Sequence, residues 1–450
     1  MAFRPFFVLG VSTLALGVAG AAAAQDSSED AAVAPVQEPG VRPVGDPFPT
    51  VGLDELPTPT AGMFVTPLNI DQLERRYLTD PLEIITQVPN AVATYVPGFA
   101  SGVDYTMRGL RDVGTYVDGI LVSTETANHF GLLLTDRIDL VRGPAPLAFP
   151  QASGGGAVAL RLHRPGERVT GRFKGSYGEF DEFSGRVAFD IPASNGKYAI
   201  GFNAYYLEDE GYSDNLTTGE ELNEQERFGG RLAIRLTPSE RVDWNIGFGF
   251  LHDESDYFIN FDCDGLCDDR FATTGFSEDD GDPIAPFGGV GVSGEKAQFG
   301  LGTESDTFFL TSDFLLEGEH ASLRLLSGYV DTDQDSAIDF TDGRDPPPAP
   351  GILPPIGAFE FGGNVRVAEE RLQEGSQDVR IDFDAGGIDF GIGGAIYGRD
   401  EEIDVANVVT TDDDGPGGAD PVTVLLADRI IDSDLRGVSA YADIAATLGI

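Results

Sequence analysis

The side chains of this sequence that could do chemistry are few and scattered. Its four histidines are His129, His163, His252 and His320, and its two cysteines, Cys263 and Cys267, lie in "FDCDGLCDD". No G-x-S-x-G elbow, H-E-x-x-H pair, P-loop or strand-to-helix G-x-G-x-x-G occurs, so none of the reactions those motifs mark is indicated. Carboxylate pairs such as Glu208 with Glu210 abound, but among 75 acidic residues they read as solvated loop charges. An enzyme is not expected, and no cofactor is called for. In an exported chain Cys263 and Cys267 read as a small loop-closing disulfide. The neighbouring Asp262, Asp264, Asp268 and Asp269 could bind Ca²⁺, although their spacing does not match an EF-hand loop.

Export is written at the N-terminus. "MAFRPFFVLGVSTLALGVAGAAAAQ" has Arg4 as a short basic region, an apolar run from Phe6 to about Val18, and small Ala22 and Ala24 at cleavage-site spacing. Residues 1–24 are therefore expected to be a signal peptide. The formal charge of −46 repels phosphate backbones and argues against nucleic acid as a partner. No later segment offers the roughly 18 apolar residues of a membrane-crossing helix, so a membrane location requires a barrel.

The elements that must position any site fall into three textures. Residues 25–59 are acidic, Pro-rich and poor in apolar side chains, the composition of a flexible tether. Residues 60–166 mix short elements. "NIDQLERRYLTDPLEIITQVP" reads as helix in two pieces broken at Pro81, while "YTMRGL", "GTYVDGILV", "RIDLVRG" and "AVALRLHR" read as strands, which together predict a small α+β domain. Residues 167–450 alternate strictly. In "VDWNIGFGF" one face carries Val242, Trp244, Ile246, Phe248 and Phe250, and the other Asp243, Asn245, Gly247 and Gly249. Tight turns at "ASNG", "TPSE", "EGE" and "AGG" alternate with long connections near 208–225, 253–303, 333–369 and 400–435. Short turns on one rim and long loops on the other mark an antiparallel transmembrane β-barrel, here about ten strands, with its apolar face toward lipid.

With those textures in place, "IDLVRGPAPLAFPQASGGGAVALRLHRP" resembles the plug of TonB-dependent outer-membrane receptors. The likeness extends to Arg108 and Gly109 in "YTMRGL", to Tyr116, Asp118 and Gly119 in "YVDGI", and to Arg142, Gly143, Pro144, Gly154, Gly155, Gly156 and Pro165 in the final run. Phe149 and Pro150 stand where the family has Tyr and Gly, and "TVGLDEL" at 50–56 is a poor match to the family's energising box. The family barrel has roughly 22 strands and a terminal aromatic residue. About ten strands before Ile450 therefore imply the N-terminal part of such a barrel.

The resemblance implies an energy-coupled outer-membrane receptor that takes up a scarce bulky ligand, with ferric siderophores first among the classes. Its partners would be outer-membrane lipid, an inner-membrane TonB-type energising protein and an extracellular small molecule. The alternative is a non-transporting surface receptor or adhesin on the same scaffold, or a truncated remnant. The plug apices would present Phe99, Asn128, His129 and Phe130 to ligand. Arg108 and Arg142 would latch the plug to wall acids, for which strand parity offers Asp378 and Asp443.

Overall fold

The computed structural model of the protein describes residues 64–69, 85, 88–95, 103–124, 127, 130, 135–143, 154–178, 181–211, 213–214, 221–222, 224–255, 302–339, 361–384, 388–411 and 423–446. Seven short strands come first: β1 (Phe64–Asn69), β2 (Ala91–Tyr95), β3 (Val103–Met107), β4 (Val113–Val117), β5 (Ile120–Val122), β6 (Thr135–Arg142) and β7 (Gly156–Leu162). Five of them form one sheet in the order β1-β6-β7-β4-β5, in which β4 and β7 run parallel, and β2 pairs with β3 apart from it. The run "AVALRLHR" thus supplies a plug strand and not a wall strand. Of the two expected helical pieces, Asn69 closes β1, Ile85 is helical, and Val88 and Pro89 lie in the bend and turn before β2; the remainder lies outside the described residues.

Two dipeptides turn the plug's chain. Asp118 and Gly119 have φ of 49° and 85°, the left-handed pair that a two-residue hairpin requires, and they join β4 to β5. Arg108 and Gly109, at 52° and 80°, do the same between Met107 and Leu110. The arginine of this "RG" therefore occupies an exposed turn.

The wall is one antiparallel sheet of ten strands: β8 (Thr170–Tyr177), β9 (Phe183–Pro192), β10 (Tyr198–Asp209), β13 (Gln225–Ser239), β14 (Val242–Ser255), β15 (Gly302–Glu317), β16 (Ala321–Asp339), β17 (Phe361–Asp384), β18 (Ile388–Thr411) and β19 (Thr423–Ala446). A two-stranded ribbon, β11 (Ser213–Asp214) with β12 (Glu221–Leu222), lies in the connection after β10. Consecutive wall strands pair throughout, as expected of a barrel built from hairpins. At the "ASNG" turn the Asn195 side chain accepts the Lys197 N–H at 3.0 Å and Gly196 takes φ of 65°.

Burial along the wall is inverted relative to a soluble sheet. On β14 Phe248 and Phe250 are each 41% exposed, whereas Asn245, on the opposite face, is 2% exposed. The outward face is apolar and the lumen face polar, the arrangement of a barrel in lipid. The main apolar core lies between plug and wall: Ile120, Val122 and Phe130 pack with Tyr205, Leu251, Phe309, Leu326 and Val330. Among the described residues no helix is long and apolar enough to cross a membrane, which says nothing of the strands.

Candidate functional site at the plug–wall interface

The β4–β5 hairpin is the part of the plug most closely engaged by the wall. Its turn residue Asp118 uses one carboxylate oxygen to accept the Leu162 N–H at 3.0 Å, which ties the turn to β7. The other oxygen faces Arg231 of β13, with Nη2 at 3.5 Å, and both side chains are almost wholly enclosed. Arg231 also donates to the His163 carbonyl. It reaches this position because Gly247 lies beneath it: a Cβ at 247 would stand 2.6 Å from Nη2.

Beyond the turn, the Ser123 N–H donates to Glu374 Oε1 of β17 at 2.7 Å, a buried bond to a charged acceptor. Ile120 sits on Gly328 of β16, where an added Cβ would come within 2.2 Å of its Cδ1. Phe130 packs against Phe309 of β15 with ring centroids 4.7 Å apart. One hairpin and the turn after it are thus held by four wall strands.

A second polar group secures the root of the plug, where the chain passes into the wall. Asp313 of β15 accepts both Nε and Nη2 of Arg324 at 2.8 and 2.7 Å, and also Nη2 of Arg164 at 2.5 Å. One buried carboxylate therefore lies between two guanidiniums, one on the wall and one on the plug's exit. His163 contacts Asp190 of β9 at 3.0 and 3.2 Å, and Thr170 donates to the same carboxylate at 2.9 Å. Within the plug, fully buried Asp139 accepts from Arg137 at 2.7 Å and from Arg161 at 2.6 Å. Burial is the largest influence on Arg161 and lowers its pKa, with Asp139 opposing.

The residues singled out from the sequence are distributed differently from the expected latch. Arg142 ends β6 and donates to the Pro89 carbonyl at 3.2 Å and to Thr66 Oγ1 at 3.4 Å, both plug atoms. Asp378 is on the lumen face, in a cleft with Tyr116, Leu121 and Tyr397, and the Tyr441 hydroxyl donates to both its oxygens at 3.0 and 2.9 Å. Asp443 is opposite Gly391 in the β18–β19 ladder, and its side chain lies outside the described residues. Arg108 occupies the exposed turn described above. The described plug-to-wall ion pair at a plug turn runs with the opposite polarity, from plug acid Asp118 to wall base Arg231. Phe130 is fully buried, which makes it a packing residue and not a ligand-facing one. Phe99, Asn128, His129, Cys263 and Cys267 lie outside the described residues.

Sequence reasoning missed Arg231, Glu374, Asp313 and Arg324 as interface residues. Each occupies a polar-face position of an alternating strand, so its face was readable. Its height in the barrel was not, because that depends on strand register.

Comparison with known proteins agrees with this geometry. Residues 60–157 match the family model of the TonB-dependent Receptor Plug Domain. The Ferrioxamine B receptor of Salmonella typhimurium is 27% identical over 128 residues, which make up 27% of this chain and 18% of the relative. Among solved structures, the ferric yersiniabactin uptake receptor FyuA from Yersinia pestis superposes with a TM-score of 0.60 at 13% identity, over 86% of this chain and 63% of that one. The siderophore receptor PiuA from Acinetobacter baumannii gives 0.58 at 12% identity, over 85% and 55%. The chain thus spans less than two thirds of the length of these proteins, and the likeness at such identities is one of fold. Residues 60–157 thus match the plug of TonB-dependent receptors, and the chain shares the architecture of these outer-membrane proteins, a plug domain followed by an antiparallel β-barrel wall.

Proposed function

We propose that this receptor takes up a bulky iron chelate of the ferric siderophore class, driven by a TonB-type protein acting on the plug from the periplasm. The observation that carries the reading is the docking of a separate plug sheet on the lumen face of a lipid-facing wall through buried polar contacts, Asp118 to Arg231 and Ser123 to Glu374. Contacts of this kind hold a plug that fills the lumen yet can be released, because they are local and exchangeable for water. The named relatives, a ferrioxamine B receptor and a ferric yersiniabactin uptake receptor, supply the ligand class. Phe99, Asn128 and His129 are the residues we assign to first contact with ligand on the plug, and Arg108 and Arg142 remain candidates for contacts that change when the plug moves.

Uptake of radiolabelled iron tests this. Cells carrying the complete receptor as their sole outer-membrane iron receptor should accumulate iron from at least one ferric siderophore of a hydroxamate, catecholate and mixed panel, and should lose that uptake when the energising protein is removed. Equal uptake in its absence, or none from any member of the panel, would overturn the proposal.

A further inference from the structure

Asp118, the plug carboxylate that meets the wall, stands among three guanidiniums. Arg231 of β13 lies 3.5 Å from its Oδ2, and the charge of Asp118 also acts on Arg161 and Arg164 of the plug. The two plug arginines are each held by another carboxylate. Arg164 donates to Asp313 of β15 at 2.5 Å, and Arg161 donates to Asp139 of β6 at 2.6 Å. Both potential competitors for Asp118 are thus engaged elsewhere, which leaves its free oxygen to Arg231.

Those two engagements depend on different parts of the molecule. Asp313 belongs to the wall, so Arg164 keeps its partner when the plug sheet moves. Asp139 belongs to β6, which lies between the edge strand β1 and β7, whereas Arg161 belongs to β7. Arg137, the other arginine on Asp139, is also on β6 and donates to both carboxylate oxygens at 2.7 and 2.8 Å. Displacing β6 from β7 therefore carries Asp139 and Arg137 away together and leaves Arg161 behind. Arg161 directly precedes Leu162, whose N–H holds Asp118 Oδ1. Burial is the largest influence on Arg161 and disfavours its charge, Asp139 is the main group opposing it, and Asp118 is the other carboxylate that does so. An enclosed charge without a partner is strongly destabilising, so an Arg161 deprived of Asp139 turns to Asp118.

We propose that Arg161 is a positioning residue that couples the plug's own sheet to its hold on the wall. While β6 is in place, Asp139 occupies Arg161 and Asp118 serves Arg231; when β6 is displaced, Arg161 draws on Asp118 and loosens the contact with Arg231. Because Leu162 occupies Oδ1, one carboxylate oxygen then serves two guanidiniums. This regulation rests on the reading that a periplasmic partner acts on the plug, since β1, the first plug strand, pairs with β6 along its whole length and passes a pull on to it.

Hydrogen exchange on the complete receptor tests the coupling without siderophore or energising protein, so its outcome is separate from that of the uptake assay. Asp139→Asn leaves β6 in place but removes the carboxylate, and Arg137, directly opposite Arg161 in the β6–β7 ladder, then repels it. Arg231→Met should raise the opening of the β4 and β5 amides roughly 100-fold in the original receptor and about 10-fold or less in the Asp139→Asn background, where Arg231 has already lost part of its partner. Adding Arg161→Gln to that background should restore the full effect. A merely structural role for Asp139 would leave the Arg231→Met effect the same size in both backgrounds. That result, or a reduced effect that Arg161→Gln does not restore, would overturn the proposal. If Asp139→Asn alone does not fold, the same comparison in Asp139→Asn with Arg137→Gln, which leaves the net charge of the cluster unchanged, decides the matter.

Discussion

Replacing Arg231 by Met probes a charged contact between plug and wall in which both side chains are almost wholly enclosed. The guanidinium is enclosed, its Nη2 lies 3.5 Å from Asp118 Oδ2, and Asp118 is itself almost wholly buried. At an effective dielectric of about 20, unit charges at that separation attract by about 5 kcal/mol before desolvation is subtracted. Stranding one member of a buried pair costs about 3 to 5 kcal/mol. Asp118 keeps the Leu162 N–H, which continues to stabilise its charge, so the lower end applies, about 3 kcal/mol. Met is flexible enough to lie over Gly247 as the arginine stem does. Native-state hydrogen exchange on the complete receptor reads the result: backbone amides of β4, β5 and Leu162 should open roughly 100-fold more often in Arg231→Met. Adding Asp118→Asn removes the stranded charge, keeps an acceptor for Leu162 and tolerates the positive φ, so the double variant should recover most of the protection. Unchanged exchange in the single variant, or strictly additive effects in the pair, would show that the contact is not a retaining one.

Three further substitutions test other parts of the structure. Gly328→Val should displace Ile120, whose Cδ1 lies 2.2 Å from where a Cβ would be, and should raise leakage of a large antibiotic through the outer membrane, with Ile120→Ala partly restoring the barrier. Asp313→Ala should leave Arg164 and Arg324 facing each other without their shared carboxylate and so loosen the plug's root, seen as faster protease cleavage between plug and wall. Phe248→Arg should cost about 2–4 kcal/mol in urea unfolding from lipid bilayers if the residue faces the bilayer midplane, and an unfolding free energy unchanged from the original would argue that this face is not in lipid.

The sequence carried the wall clearly because period-2 alternation and turn residues are local. Phe248 and Phe250 were assignable to lipid, and "YVDGI" to a hairpin, without any long-range information. The interface residues were not, because a pairing such as Asp118 with Arg231 joins positions over a hundred residues apart and depends on how far each strand slides past its neighbour. Parity places Asp378 on the lumen face correctly, yet its partner is Tyr441, two strands away in the wall, and not a plug arginine. Arg108 has a local feature that alternation does not reveal: with Gly109 it forms a left-handed turn, so strand parity does not apply to its side chain.

The glycine content of the wall has a related cause. On the lumen face, Gly247 lies under Arg231, Gly249 under Phe309, Gly328 under Ile120, Gly393 under Tyr441 and Gly437 under Tyr397. In each case a Cβ would stand 2.7 Å or less from the covering side chain, so the absence of a side chain on one strand gives room for a long or aromatic one to lie flat against the sheet. The effect is to thin the wall where the plug approaches. Side chains lying flat keep the lumen wide enough for a second layer of chain, while their polar ends, the Arg231 guanidinium and the Tyr441 hydroxyl, still reach partners. Large residues at those glycines would press the covering side chains inward, and the contacts at risk would be those on the β4–β5 hairpin and the turn after it, because Ile120 belongs to the plug while Arg231 and Phe309 touch it at Asp118 and Phe130. The same glycines that fit strands to each other therefore set the clearance between wall and plug.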